Sequence, residues 1–342
     1  MSMQILRSEV VLEKYGKALA GKTGILTRLH DPDFSHQANI FKVLITGVSD
    51  ESIAGELAVQ ISAVNPKLLI LSARAESKVT PIINKIKESK PNVATRFLNM
   101  ELGDMGAIRK GVENDLADIP KIDHVVCVAA VMACPYAKTK DGFESQFGVN
   151  YLANFLLVRL LLPKVQAAGP SSSVIIVASS VVRRGKLNFD DIGFSNGETY
   201  EGWAAYGQSN VARVMFAKKL GEKLKSKGIR VFSIDPGAVR TGLQKHVSPD
   251  FRAQVEEWRK TDKAMTDVDG NKYDIPPWTT RSEGAATMIT GMIDPTIADF
   301  TGSFLKQNAV ANEELHSQIR DEQNWTRLWE LSEAFIGEIY PL

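Results

Sequence analysis

The sequence predicts an α/β fold, a doubly wound parallel sheet of about seven strands flanked by helices. Three observations predict it. Short β-branched runs recur at 43–46, 68–72, 95–99, 124–129, 174–178 and 230–234, with a weaker seventh at 303–305. Helical patterns fill the intervals, at 53–64, 79–88, 105–118, 143–165 and 206–227. The first run ends in a turn of mostly small residues, Gly47-Val-Ser-Asp-Glu-Ser-Ile-Ala-Gly55, that leads straight into a helix. Strands alternating with helices require right-handed crossovers, and these cover both faces of a parallel sheet.

No repeat, low-complexity tract or Pro/Gly-rich linker divides the chain, so residues 43–342 read as one domain. Residues 1–42 precede the first strand as an extension. Within it, 24–42 reads as an insertion: without it, Gly21-Lys-Thr23 would run directly into Val43 as one continuous strand. It is either a flexible loop or an artefact of the gene model. Residues 243–280, with Pro249, Asp269-Gly270 and Ile275-Pro-Pro-Trp278, follow the sixth strand and carry a helical piece near 251–260. That is the place of a lid over a substrate cleft.

Composition narrows the function. The 342 residues carry 41 basic and 40 acidic side chains, a net charge of +1, with no basic stripe interleaved with aromatics. This argues against nucleic acid as a partner. The lysines at 218, 219, 223, 225 and 227 fit the wet face of an amphipathic helix. Cys127 and Cys134 form neither a zinc motif nor a disulfide framework, and the five histidines lack ligand spacing, so no metal is indicated. The longest apolar stretch, 155–162, is broken by Arg159 and ended by Pro163, too short to span a bilayer. With no signal-peptide core at the N-terminus, the expectation is a soluble, cytoplasmic protein.

The turn after the first strand is suited to an anion. A strand, a tight turn and a helix start aim backbone N–H groups and the helix dipole at a phosphate. Gly47, Ser49 and Ile53 belong to that turn. The second strand ends in Arg74, with no acid at its tip. An acid there would bind the ribose diol of NAD, whereas an arginine pairs with the 2′-phosphate of NADP, so NADP(H) is the expected cofactor.

Several ordered landmarks carry a resemblance. Thr46-Gly47, Arg74, the run from Asp141 to Asn150, Ser179-Ser180, Tyr206-Gly-Gln-Ser-Asn210 and Asp235-Pro-Gly-Ala-Val-Arg-Thr241 follow one another in the chain. In that order the chain resembles the short-chain dehydrogenase/reductase family, particularly its extended, retinol-dehydrogenase-like fungal members, over nearly all of 43–342. The resemblance implies a Rossmann-type sheet, a homodimer or homotetramer, and NADP(H)-linked interconversion of a carbonyl and an alcohol. A small lipophilic molecule or secondary metabolite is the implied substrate. Tyr206 would be the general acid, Ser180 would hydrogen-bond the same substrate oxygen, and Asn150 would brace its helix and hold a relay water. Glu101 and Leu102 would lie at the adenine, Ala129 beside the cofactor, and Pro236, Gly237, Val239 and Thr241 against the nicotinamide. Phe189, Phe194, Tyr200 and Trp203, between Ser180 and Tyr206, read equally as cleft lining or as core.

The chain departs from the family pattern in places. Cys127-Val-Ala-Ala130 stands for Asn-Asn-Ala-Gly, Ala54 and either Glu51 or Ser52 stand for glycines, and Glu101 replaces an aspartate. Most consequentially, Asn210 occupies the position of the lysine that binds ribose and lowers the tyrosine pKa. A unit charge about 5 Å from a phenol at an effective dielectric of ~20 is worth roughly 3 kcal/mol, about two pKa units. Asparagine can hydrogen-bond ribose but brings no charge. A slow reductase survives this loss, and a fast one needs another cation. Arg183 and Arg184 are the nearest in sequence, yet read as solvated loop residues. A non-redox isomerase, dehydratase or cyclase, or a catalytically silent relative, are the alternatives.

Overall fold

The computed structural model describes residues 7–20 and 41–342. The proposed insertion at 24–42 therefore lies almost wholly outside the described residues. Only Phe41 and Lys42 are seen, and Lys42 opens the first strand.

The main sheet runs through β1 (Lys42–Thr46), β2 (Leu68–Ala73), β3 (Ala94–Asn99), β4 (His124–Cys127), β5 (Ser173–Val177) and β6 (Arg230–Asp235). The strand at Phe304–Lys306 adds to the β6 edge, and a two-residue strand at Ala309–Val310 turns back antiparallel beyond it. From that edge the order is 309–310, 304–306, β6, β5, β4, β1, β2, β3, parallel in all but the last-formed pair. The seven expected strands are present, and the eighth is the short antiparallel edge.

Alternation along each strand sends side chains to opposite faces. Leu44 of β1 and Val174 and Ile176 of β5 enter one hydrophobic core. Val43, Ile45, Ile175 and Val177 enter the other. The first core is covered by α4 (Met105–Lys110), α5 (Ala153–Ala168) and α6 (Gly202–Leu224). The second is covered by α1 (Ser8–Ala20), α2 (Ile53–Ser62) and α3 (Glu76–Ser89). Over the 243–280 region come α7 (Pro249–Lys260) and the strand pairs 265–266 with 272–273 and 238–239 with 278–279. The chain ends through α8 (Arg281–Ile293), α9 (Ser317–Arg320) and α10 (Glu322–Ile336).

One sequence expectation is corrected here. The fourth strand stops at Cys127 instead of 129, because the Val128 and Ala129 N–H groups donate to the Thr46 hydroxyl at 3.0 and 3.1 Å. As the helical pattern over 143–165 expects, helix α5 passes through Pro163, ending at Ala168; one lost backbone hydrogen bond is outweighed by a helix whose Phe155, Leu157, Leu161 and Val165 are fully buried. Helix α6 is buried on every side from Ala205 to Ala217, and the wet face expected of the lysines at 218–227 falls in its last turns and just beyond. There Lys218 and Lys223 lie over the rings of Trp325 and Trp329.

Helices α1, α8 and α10 are additions to the sequence reading. The start of α8 is fixed by a capping box, in which Thr280 and Glu283 satisfy each other's backbone N–H groups. Helix α1 docks on it through Ser8 and Ser282, whose hydroxyls lie 2.9 Å apart. Helix α10 brings Trp329 into an aromatic cluster, with ring centroids 5.2 Å from Phe155 and 4.5 Å from Tyr340. Trp329→Ala is expected to cost about 3–5 kcal/mol of stability by opening that cluster. A urea midpoint lowered by less than the equivalent of about 1 kcal/mol, at constant slope, would show that α10 is a dispensable cover.

Candidate active site

The carboxyl ends of β1 through β6 open on one cleft of about 1420 Å³. Strand β1 pairs with β2 on one side and β4 on the other, so the winding reverses there and leaves a crevice. Residues that follow each strand line it: Gly47 to Ser49, Arg74, Glu101 and Leu102, Val128 to Met132, Ala178 to Ser180, and Pro236 to Thr241.

The turn after β1 keeps glycine where nothing else fits. Gly47 has φ +75°, and a Cβ there would lie 2.8 Å from the Ala129 Cα. A Cβ on Gly55 would lie 2.2 Å from the Ser49 carbonyl oxygen. Where the family pattern has another glycine, Ser52 caps α2. Its Oγ accepts from the N–H groups of Ser49 and Gly55 at 3.0 and 2.9 Å and donates to the Ser49 carbonyl. The serine thus shapes the turn by hydrogen bonds, and Ile53 follows it at the head of the helix, against the cleft. Arg74 projects from the tip of β2 with 71% of its side chain exposed, 4.0 Å from the Glu101 carboxylate. A tight turn before a ten-residue helix at the head of this cleft fits the phosphates of a dinucleotide.

Across the cleft, Glu201 caps α6 by accepting from the N–H groups of Trp203 and Ala204. This fixes the first turns of the helix and presents Tyr206, 5% exposed, to the cleft. Burial pushes the phenol above its ordinary pKa. The positive charge of Arg213 pulls it back, as do the polar side chains of Ser179 and Asn210. Ser179, two residues beyond β5, lines the cleft with it. Ser180, the one singled out in the sequence, opens the following 3₁₀ turn and lines the same cleft.

Two other sequence candidates lie behind the cleft wall. Asn150 is fully buried; its Oδ1 accepts from Val131 N and its Nδ2 donates to Val131 O and Ser209 Oγ. Its amide is thus spent on bracing the loop after β4, leaving the backbone carbonyl for other contacts. Asn210 is also fully buried, with Nδ2 donating to the Tyr206 carbonyl at 2.8 Å, four residues back on the helix, and is not among the residues lining the cleft. The shorter side chain of asparagine folds onto its own helix, where a lysine would extend outward.

Arg213 is the residue that sequence reasoning missed. It is 1% exposed, yet it reaches the cleft beside Tyr206. A signal was available: an arginine set inside Val211-Ala-Arg-Val-Met-Phe-Ala217 cannot be a solvated residue on a helix buried all round. Arg183, by contrast, is spent on an ion pair with Glu314 at 2.8 Å and on the ring of Tyr273.

The cleft's outer wall comes mainly from 243–280, where Leu243, Val247, Phe251, Trp258, Met265, Ile275 and Trp278 give apolar surface among the polar Gln244, Lys245, Arg252, Glu256, Arg259 and Tyr273. Trp278 is held between the guanidinium groups of Arg240 and Arg259, each 4.2 Å from the ring centroid, and its Nε1 donates to Glu256 at 2.7 Å. Of the four aromatics between Ser180 and Tyr206, only Trp203 lines the cleft. Tyr200 donates to the Cys134 carbonyl and stacks with Phe194, while Phe189 packs under Arg327.

A family model described as short chain dehydrogenase matches residues 42–251. Retinol dehydrogenase 14 of Mus musculus is 30% identical over 70% of this chain and 66% of its own length. Retinol dehydrogenase 14 of Homo sapiens is 27% identical over 91% of this chain and 90% of its own. Among solved structures, an uncharacterised protein from Mycobacterium paratuberculosis superposes with a TM-score of 0.63 at 21% identity, covering 88% of this chain and 95% of that one. A short chain dehydrogenase from Escherichia coli, complexed with NADPH, gives 0.58 at 20% identity, covering 79% and 98%. Among the described residues, no helix is long and apolar enough to cross a membrane.

Proposed function

The chain belongs to the short-chain dehydrogenase family of oxidoreductases, and from that premise we propose that it interconverts a lipophilic carbonyl compound and its alcohol with NADP(H). One observation carries the reading: a nearly buried phenol, Tyr206, faces the cleft at the strand ends, and the hydroxyl-bearing Ser179 and Ser180 line the same cleft. A bound nicotinamide supplies the hydride. The chain's own residues manage the proton. Tyr206 Oη gives its proton to the substrate oxygen as negative charge develops there, and a hydroxyl of the Ser179–Ser180 pair donates a hydrogen bond to the same atom. In the reverse direction the phenolate takes the alcohol proton.

The apolar surface formed by Phe251, Trp258, Met265 and Trp278 supports a lipophilic substrate, and retinol, named for two relatives, is an apolar alcohol. The segment 243–280 acts as the lid that keeps water from the reacting atoms. Purified protein is expected to oxidise NADPH with aldehydes or ketones bearing apolar chains. Deuteride from 4-deuterated NADPH must appear on the product carbon; turnover without that label would replace this reading with a non-redox one.

Arg74, with Lys78 on the same rim, supports selection of NADP(H) over NAD(H). Arg74→Ala is expected to raise the Kd for NADPH about 10- to 100-fold, the worth of a charge-assisted phosphate contact, and to leave that for NADH nearly unchanged. Equal weakening of both cofactors in a fluorescence titration would remove Arg74 from any role in that choice.

A further inference from the structure

Tyr206, Asn210 and Arg213 lie at intervals of four and three residues on α6, so they share one helix face. The lysine expected at 210 is absent, and a guanidinium stands one turn further along. We propose that Arg213 is a positioning residue for Tyr206, its buried guanidinium holding beside the phenol the positive charge that Asn210 does not provide.

The geometry supports it in two steps. First, Arg213 is fixed by the framework of the site. Its Nε donates to the Asn150 carbonyl, its Nη1 to the Val177 carbonyl at 2.7 Å and its Nη2 to the Ala129 carbonyl at 2.5 Å. These carbonyls belong to the helix after β4, the end of β5 and the loop after β4 (three of the segments that build the cleft).

Second, its charge has no counter-ion in that framework. Carbonyls are neutral acceptors, and among the described residues Arg213 makes no ion pair with a carboxylate. The ionisable groups whose charge acts on it are the Tyr206 phenol and the Cys127 thiol. Burial pushes Cys127 up to about 12, so the thiol stays neutral at physiological pH. Burial also pulls the guanidinium down to about 10, which still leaves it charged near neutrality. The phenolate of Tyr206 is the anion this cation is placed to favour.

A purely structural brace would make the same three hydrogen bonds, so the test reads the charge itself. The inference rests on Tyr206 as the proton donor, but tyrosinate absorbance near 295 nm reports its ionisation without turnover. The Tyr206 signal is obtained by subtracting the titration of a Tyr206→Phe partner for each variant. Arg213→Met, which keeps bulk but not charge, is expected to raise the Tyr206 pKa by about one to two units. Arg213→Lys should hold it within about half a unit of wild type. Arg213→Met/Asn210→Lys, which moves the cation back one turn, should restore it.

An unchanged Tyr206 titration in folded Arg213→Met overturns the proposal. If that variant does not fold, Arg213→Lys and the double variant decide, and a Tyr206 pKa raised in both counts against the charge. Failure of all three to fold reduces Arg213 to a brace and likewise overturns it. Absence of NADPH turnover in wild type with these shifts intact would instead overturn the reductase reading alone.

Discussion

Tyr206→Phe is expected to lower kcat for carbonyl reduction by about 10²- to 10⁴-fold, the usual contribution of a positioned general acid. Cofactor affinity should stay within about threefold, because the hydroxyl is the only atom group removed and the ring remains buried against Trp203, 6.1 Å between centroids. Such a loss, in kcat with little change in binding, marks an interaction made mainly in the transition state. Stability is expected to rise slightly or hold, since a buried hydroxyl with imperfect partners is exchanged for an apolar edge. A variant that keeps more than about a tenth of wild-type kcat would transfer the acid role elsewhere and leave the cleft without its chemistry.

The pH dependence follows from the same group. The phenol sits above its ordinary pKa through burial, so it is protonated and able to donate across the neutral range. Reduction, which uses the protonated form, should hold steady at neutral pH and decline only as the pH rises through that elevated value. Oxidation, which uses the phenolate, should climb over the same interval. For folding, a phenol whose pKa is raised in the native state contributes stability that is lost as the pH rises from the unfolded value through the folded one. Arg213 and the polar side chains of Ser179 and Asn210 limit how far that window is displaced.

Much of this architecture was legible because it depends on local rules. Strand runs with β-branched residues, and helices between them, gave the sheet without reference to any partner. Gly47 and Gly55 were conspicuous as glycines, and the structure shows each pressed against another part of the backbone. What escaped depends on long-range packing. Ser52 looked like a lost glycine, and only its hydrogen bonds to Ser49 and Gly55 reveal it as the turn's own clasp. Tyr200 and Phe194 read equally as cleft lining or as core, and only the bond from Tyr200 to the Cys134 carbonyl, with Phe194 packed edge-on against it, places both away from the cleft. Arg213 escaped for a third reason. Its partners are three main-chain carbonyls, and a carbonyl leaves no trace in residue identity.

That arginine reverses the expectation for restoring the family's lysine. On sequence alone, Asn210→Lys supplies a missing charge and should quicken the enzyme. In the structure, position 210 is fully buried and Arg213 lies three residues away on the same helix, so a lysine there would place a second cation beside an existing one with no anion between them. Two like charges about 5 Å apart at an effective dielectric of ~20 repel by roughly 3 kcal/mol. Asn210→Lys is therefore expected to lower stability by about that amount, a fall in Tm of roughly 4 °C for a chain of this size, with no gain in turnover. Part of the cost can be met by deprotonating the new lysine, which would make the loss largest at low pH and smaller as the pH rises. In the Arg213→Met background the same lysine should be tolerated, giving a coupling between the two sites of about 2–3 kcal/mol by double-mutant cycle. A stable, faster Asn210→Lys single variant would mean that the guanidinium's charge does not reach position 210, and with it would go the account of how this tyrosine works beside an asparagine.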